Sequence, residues 1–329
     1  MHVLPSPPSA VADHHDGRLS TYVHPHALAR QLIGWNLALF QLDAGSFFAQ
    51  ARQRNLPDLT IVQVKANRTI EFNGTSPDRM RTLVFMAESH ERLSWFGPSM
   101  ASNNLLVLPP RAKLGAVIPA GCEIFFITMK ESLFNELQIM PGEGPRVMEV
   151  LALDRLRALV TDSACSTATD IRHGILTSLN SATPTQPHTP RRRDLALVRA
   201  HSLIRDNAAD HLTIQDLREA GQVSERTLQY AFVEHFGINP KRYLIVHRLN
   251  RARNDLLQSG TNQIKISEAA IRYGFWHMGS FAGDYRKLFG ELPSQTPRQL
   301  DRPSSRVPHA YAHQDLEASN GIPPGIRGL

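Results

Sequence analysis

Five neighbouring residues have side chains that can hydrogen-bond to the edges of DNA bases: Glu225, Arg226, Thr227, Gln229 and Tyr230. The guanidinium of Arg226 can pair with O6 and N7 of guanine, and the amide of Gln229 can pair with N6 and N7 of adenine. Tyr230 can reach a phosphate or a thymine methyl. For Arg226 the alternative is a phosphate contact, which carries no sequence information. We therefore predict that this stretch reads DNA.

A second stretch of predicted DNA contacts lies about 50 residues further on and comprises Trp276, His277, Met278, Gly279 and Ser280. Its side chains are mostly small or apolar, so few paired base contacts are possible. Here we expect close backbone approach and phosphate contacts instead. Most sequence discrimination would then come from the first stretch and from DNA shape.

The first stretch lies at the start of a predicted helix that follows a shorter helix and a turn. Apolar residues at three- and four-residue spacing predict the short helix from Ile214. Gly221 is expected to take a positive φ at the turn, and Ser224 is a good N-cap for the next helix. Gly237 is expected to end that helix. Its predicted buried residues are Leu228, Ala231, Phe232 and Phe236.

The second stretch repeats this arrangement of short helix, turn and helix. Gly274 stands at the turn, and Gly290 closes the second helix. The residues predicted to face inward are Phe281, Tyr285 and Phe289. Two such units would each push one helix outward, far enough to enter a major groove about 12 Å wide.

A long basic helix is predicted between the two units, from Pro240 to Gln258. Proline suits the first turn of a helix. A stiff connector could hold the outer helices so that they enter successive major grooves, which lie about 34 Å apart. Its basic residues are Lys241, Arg242, Arg248, Arg251 and Arg253. Of these, Arg242 and Arg248 complete the predicted DNA contacts.

The excess positive charge lies in the same part of the chain. Residues 191–300 contain 17 Lys and Arg against 11 Asp and Glu, and this excess equals the net charge of +6 of the 329-residue chain. A basic surface of this kind is typical of a domain that meets a polyanion.

These motifs resemble the AraC/XylS family of bacterial transcription regulators. The matching residues are Ser224, Leu228, Phe232, Gly237, Tyr243, Arg248, Leu249, Ala252, Leu257, Ala270, Gly274, Phe275, Phe281, Phe289, Gly290 and Pro293. The run Gly274 to Ala282 looks like the subgroup of ethanolamine-utilisation regulators. Arg218 and Gln222 depart from the pattern, where the family usually has Ala and Gly. The resemblance implies a DNA-binding regulator, usually an activator that contacts RNA polymerase.

Ahead of this region, several short strands are predicted between Gln41 and Met129. Residues 60–65 alternate between two faces, and the turns include Asn73-Gly74 and Pro109-Pro110. Such spacing suggests a small barrel or sandwich. By analogy with the family, we expect a cupin-like sensor that binds a small effector of unknown identity. Trp95, Phe96, Phe125 and Phe126 could line a pocket or simply form core.

Helices are predicted again from Lys130 to Asn180, one of them over the apolar residues from Val147 to Val160. They could pair two subunits, giving a homodimer, or cover the open end of the barrel. The predicted fold is α+β. Its predicted segments are a disordered tail (1–16), a cupin-like domain (17–180), a linker (181–193), a double helix-turn-helix domain (194–300) and a second disordered tail (301–329).

Composition excludes several other classes of protein. With two cysteines the chain has no disulfide framework, which fits a reducing cytoplasm. No run of 18 apolar residues and no secretion signal is evident, so we expect a cytoplasmic protein without a membrane segment. His14, His15, His24 and His26 could suggest a metal site, but a flexible tail explains them better. No catalytic residue, metal or cofactor is predicted.

Three functions remain open at this stage. The first is an effector-controlled transcription regulator, and the second is a constitutive DNA-binding dimer. The third is a DNA-repair protein that transfers alkyl groups, for which Cys122 and Cys165 are too isolated to form a reactive cluster.

Overall fold

The structure is a computed structural model that describes residues 17, 19–32, 34–87, 93–94, 99–136, 144–150, 153–161, 167–184, 190–207, 212–258 and 264–296. Its strands are β1 (Leu19–Tyr22), β2 (Asn36–Gln41), β3 (Ala49–Leu56), β4 (Leu59–Ala66), β5 (Ile70–Thr75), β6 (Met80–Met86), β7 (Leu93–Ser94), β8 (Ser99–Met100), β9 (Asn104–Leu108), β10 (Lys113–Ile118), β11 (Glu123–Lys130), β12 (Arg146–Val150) and β13 (Ala182–Pro184). Its helices are α1 (Pro25–Gln31), α2 (Glu131–Glu136), α3 (Leu153–Thr161), α4 (Ala168–Asn180), α5 (Arg192–Asp206), α6 (Ile214–Gly221), α7 (Glu225–Phe236), α8 (Pro240–Gln258), α9 (Ile266–Arg272) and α10 (Met278–Phe289).

The strands form two antiparallel sheets that face each other. One sheet has the order β1-β3-β4-β11-β6-β9-β12-β13, and the other has the order β2-β5-β10-β7-β8. Alternate side chains from both sheets fill the space between them, as the stacked rings of Phe72 and Phe126 show. Among the described residues, no strand of one sheet pairs with a strand of the other. The predicted α+β class is confirmed, with the strands of the N-terminal part arranged as a sandwich.

Helices α3 and α4 cover the outer face of the eight-stranded sheet. Leu156 on α3 and Ile171 and Ile175 on α4 are buried against a cluster that includes Phe85 and Phe125 of the sheet. The two phenylalanine rings stack with their centroids 5.1 Å apart. These helices cover a sheet face, whereas the prediction had them either pair two subunits or cover the open end of a barrel. Pairing of subunits stays a prediction.

Part of the predicted helix over Val147 to Val160 is a strand. Val147 and Val150 lie on β12, and the helix begins at Leu153. β12 pairs with β9, where Met148 lies opposite Leu105. The prediction was wrong there because apolar spacing in a short run fits either structure. The ladder offered by β9 decides in favour of the strand.

The strands also begin earlier in the chain than predicted. β1 lies entirely before Gln41, and β2 ends at it. Near the predicted linker, β13 pairs with β12, and α5 begins at Arg192. The predicted disordered tails, Cys165, and His14 and His15 lie outside the described residues. No helix among the described residues is long and apolar enough to cross a bilayer.

The helical part contains both predicted units and their connector. Helix α8 spans the predicted range, and the residues of α7 and α10 that were predicted to face inward are buried. At the first turn the prediction for Gly221 was wrong, because Gln222 takes the left-handed conformation with φ of 54°. Gly221 ends α6 instead. A Cβ there would lie 3.2 Å from the Cβ of Ala196, so this position needs a small residue for close packing of α5.

The helical part packs on the outer face of the five-stranded sheet. Val117 of β10 joins the same buried cluster as Phe236 of α7 and Leu244 of α8. Nε2 of His235 on α7 lies 2.8 Å from the backbone oxygen of Gly115.

Burial lowers the pKa of His235 to about 4. Burial, aided by the charge of Arg253, lowers the pKa of His24 to about 3.

These two histidines predict a loss of stability on acidification. Their folded pKa values lie below the ordinary value of 6.5, so below about pH 6.5 the unfolded state takes up protons that the folded state does not. Each should lower the free energy of unfolding by about 2 kcal/mol between pH 6.5 and pH 5. Urea denaturation followed by tryptophan fluorescence at several pH values measures this loss.

The variant His235→Gln is the matched control. Its amide can still donate to the oxygen of Gly115 and does not titrate. Its loss of stability with falling pH should therefore be smaller than that of the parent protein by about 2 kcal/mol at pH 5. An identical pH dependence in the two proteins would contradict the assignment.

Candidate nucleic-acid interface

Helix α7 buries one face and exposes the residues predicted to contact bases. Oγ of Ser224 accepts a hydrogen bond from the backbone N–H of Thr227 at 3.2 Å, so the helix begins where the predicted N-cap places it. Leu228 and Phe232 are fully buried on the other side. Glu225, Arg226, Gln229 and Tyr230 are exposed, and Thr227 is half-buried.

Arg226 is held beside Tyr230 on the exposed face of α7. Nη2 of Arg226 donates to the hydroxyl of Tyr230 at 3.2 Å, and the guanidinium carbon lies 5.5 Å from the centroid of the tyrosine ring. This contact restricts the arginine side chain before any ligand is present, so less rotamer freedom is lost on binding. The arrangement can present a planar, bidentate donor to guanine or to phosphate.

Helix α10 presents a different surface. Trp276 is 66% exposed, and His277, Met278, Gly279 and Ser280 are exposed around the first turn. Neither Gly279 nor Gly283 has any heavy atom within 4 Å of where a Cβ would stand. The small face of this helix is therefore open, and another molecule could reach its backbone closely.

The basic residues of α8 are distributed less simply than predicted. Arg242 is half-buried and lies 3.9 Å from Asp284 of α10, and Nε of Arg248 donates to the backbone oxygen of Leu244. Arg253 is 3% exposed and bonds to Glu291 and His24, so the interpretation of its charge as part of a basic surface was wrong. Contact of Arg242 and Arg248 with DNA stays a prediction, as it does for the residues of α7 and α10.

Sequence reasoning missed Val233, which is 50% exposed one turn after Tyr230. It extends the outer face of α7 with an apolar group, and its position outside the buried stripe could have indicated this. Sequence reasoning also missed Gln41 and Glu71, which reach the helical part from the sheets. A single polar residue in a strand gives no sequence signal that it will bond to another part of the protein.

The predicted effector site has little space inside the sandwich. Phe126 faces the core between the sheets, whereas Phe125 lies under α3 and α4, so these two aromatic residues do not share a pocket. Trp95 and Phe96 lie outside the described residues. The space lined by Trp35, Phe72 and their apolar neighbours measures about 10 Å³, close to the minimum for one water molecule. A wider cleft of about 300 Å³ lies between the parts of the protein, beside Leu42, Asp43 and Phe236.

Comparison with known proteins agrees with this geometry. Residues 218–299 match a family model described as a helix-turn-helix domain. The XylDLEGF operon transcriptional activator of Pseudomonas putida is 39% identical over 104 residues, which are 32% of this chain and 32% of that protein. A probable thc operon regulatory protein of Rhodococcus erythropolis is 37% identical over 94 residues, which are 29% of this chain and 28% of the relative.

Among solved structures, a probable AraC family transcriptional regulator from Rhodopseudomonas palustris is 34% identical. It is matched over 33% of this chain and 98% of its own, with a TM-score of 0.29. The chain spans about a third of the length of the curated relatives that it matches first. The described helices and the matched family model define this part of the chain as a helix-turn-helix domain with two units, similar to the matched part of the Pseudomonas putida transcriptional activator. Membership of the ethanolamine-utilisation subgroup stays a prediction.

The open face of α10 yields a prediction that separates stability from binding. Gly279→Ala and Gly283→Ala should each raise the free energy of unfolding by up to about 1 kcal/mol, because alanine is the better helix former and meets no neighbour. If the glycines permit close approach to a DNA backbone, the same variants should bind DNA less tightly. Denaturation and binding titrations measure the two effects. Tighter DNA binding together with higher stability would contradict a role in close approach.

Proposed function

We propose that the protein is a sequence-specific DNA-binding regulator of transcription. The observation that carries the proposal is the exposed polar face of α7, whose opposite face is fully buried in a domain of the AraC/XylS type. That domain also contains all of the excess positive charge of the chain. Bases would be read mainly by α7, and α10 would approach the backbone of the next major groove.

The finer parts of the proposal rest on the resemblance of the helical domain. The relative from Pseudomonas putida is named a transcriptional activator, which supports activation by contact with RNA polymerase here. We further propose a cytoplasmic homodimer whose activity a small effector controls through the N-terminal domain. A constitutive DNA-binding dimer is the second candidate, and it is favoured by the small space between the sheets.

The DNA-repair alternative loses support at Cys122. Its thiol is 4% exposed and lies 3.7 Å from the sulfur of Met86 inside the sandwich. A nucleophile for alkyl transfer has to reach the modified DNA, and a thiol in an apolar core is neither accessible nor activated.

Selection of bound sequences from random duplex DNA by the full chain tests the proposed function. The expected result is one enriched sequence with two elements about one helical turn apart, bound at least 1,000-fold more tightly than random DNA at moderate salt. Equal affinity for selected and random DNA at every salt concentration would show that the protein does not read sequence.

Arg226→Ala should weaken binding to the selected sequence by about 1–3 kcal/mol and relax the preference at one base position. The physical reason is the loss of a bidentate donor that no neighbour replaces. Titration against the selected sequence and its single-base variants measures both effects.

Arg155→Ala is the matched control, because Arg155 is an exposed arginine on α3 and far along the chain from the helix-turn-helix units. It removes the same charge and should leave the base preference unchanged. An equal loss for Arg226→Ala on selected and random DNA would reduce Arg226 to a phosphate contact.

A further inference from the structure

The N-terminal domain bonds to the first helix-turn-helix unit through buried polar groups. The carboxylate of Glu71 on β5 is fully buried, and its Oε1 lies 2.6 Å from Nε2 of His201 on α5. The hydroxyl of Tyr243, at the start of α8, donates to Oε2 of the same carboxylate at 2.8 Å. One strand side chain thus joins two helices, and His235 of α7 adds the contact to Gly115.

A separate group of contacts holds the second unit. Nε2 of Gln41 donates to the backbone oxygen of Leu288 at 2.8 Å, and the backbone N–H of Gly45 donates to the same oxygen at 3.0 Å. Leu288 lies in the last turn of α10, where helix carbonyls have no partner within the helix. The last residue of β2 and the loop after it therefore supply hydrogen bonds to a carbonyl at the end of α10 that has no partner within the helix. Gly290 packs so closely on Ser46 that a Cβ would overlap the serine hydroxyl.

Gln41 also fixes the connector between the units. Its backbone N–H donates to Oδ1 of Asn250 at 3.0 Å, and its backbone oxygen accepts from Nδ2 of Asn250 at 2.9 Å. The amide of Asn250 therefore pairs with β2 in the way that a neighbouring strand would. Gln41 and Asn250 are both buried, at 0% and 3% exposure, so water cannot readily replace these bonds.

These contacts join both units to the same sheet. Helix α8 is the element that both share, and a shared rod does not by itself fix how far α10 turns about it. The contacts of Gln41 and Gly45 at the end of α10, and of Glu71 at the start of α8, hold both units to the five-stranded sheet.

We propose that the N-terminal domain acts as a clamp that sets the separation and angle of the two reading helices on DNA. The clamp consists of Gln41, Gly45, Glu71 and Gly115, and Gln41 and Glu71 are its positioning residues. The clamp rests on the proposed function, because it presupposes that both helix-turn-helix units bind DNA. The clamp would make DNA binding selective for the spacing between the two halves of the bound site. This selectivity would come from the N-terminal domain, without any contact of that domain with a base.

The test uses the full chain and the DNA sequence that it selects, with one or two base pairs inserted or removed between the two elements. Each base pair changes the separation by about 3.4 Å and rotates one element about the DNA axis. The unchanged protein should lose at least 10-fold in affinity at each altered spacing. Gln41→Met keeps the side-chain volume and removes the amide, and its affinity should fall less than 3-fold at each altered spacing. Glu71→Leu should show the same small loss of affinity.

Two controls separate positioning from general damage. Thr82→Val removes a buried hydroxyl that bonds to Thr128 within the eight-stranded sheet, away from the helical domain, and should keep the spacing preference of the parent. Glu71→Gln keeps the hydrogen-bonding capacity and should restore most of the preference lost in Glu71→Leu. Spacing preferences equal to the parent in Gln41→Met and Glu71→Leu would overturn the clamp, as would a parent that tolerates every spacing.

A second measurement needs no DNA and so distinguishes failure of the clamp from failure of the proposed function. Amide hydrogen exchange in free Gln41→Met should be at least 10-fold faster than in the parent at Gly45 and in the last turn of α10, with α7 unchanged. Unaltered exchange at the end of α10 would overturn the clamp even if DNA binding were lost for another reason. Faster exchange there, in a chain that selects no DNA, would support the clamp and reject the proposed function.

Discussion

Burial of α8 on two sides is the constraint on which the rest of the structure depends. One side packs the aromatic rings of the first unit, where Tyr243 lies 4.2 Å from Phe236 and 5.3 Å from Phe232 between ring centroids. Each large apolar side chain buried in this way contributes roughly 1.5–3 kcal/mol. Other buried positions of α8 carry polar groups: Asn250 bonds to Gln41 of β2, and Arg253 bonds to Glu291 just after α10. Because apolar and polar groups of α8 are both buried, the helix can neither rotate nor slide without exposing apolar surface or leaving buried polar groups unpaired.

Helices α7 and α10 occupy equivalent places in the two helix-turn-helix units but differ in chemistry. Helix α7 carries an arginine restrained by a tyrosine, which suits directional hydrogen bonds. Helix α10 carries glycines with open space beside them, and the exposed Trp276 lies just before it, which suits close contact over a smooth surface. Their capping also differs, since Ser224 caps α7 with its side chain whereas His277 makes no such bond at α10. The side chain of His277 therefore leaves the start of α10 uncapped, and the N-termini of helices in general favour anions such as phosphate.

The N-terminal domain buries both faces of its sandwich. Helices α3 and α4 cover the eight-stranded sheet, and the helix-turn-helix domain covers the five-stranded sheet. Since the core between the sheets is filled, the larger space lies at the junction of the two domains, beside Asp43 and Phe236. Any change in the sheets that moves β2 or β5 would be transmitted directly to α8, because Gln41 and Glu71 bond to it from these strands.

Local sequence was sufficient for the helix-turn-helix units. The N-cap Ser224, the glycines at Gly237 and Gly290 and the apolar spacing act within a few residues, so the range of α8 and the buried faces of α7 and α10 could be predicted. The exposed end of α7 followed from the same periodicity.

Tertiary structure decided what depends on distant partners. β12 is a strand because β9 offers a ladder, and Gln222 takes the left-handed turn because Gly221 is needed against Ala196. Arg253 is buried because His24 and Glu291 meet it there, and Glu71 joins two helices more than 100 residues away in the chain. Such contacts leave no periodic trace, since one polar residue in a strand looks the same whether it meets water or another domain.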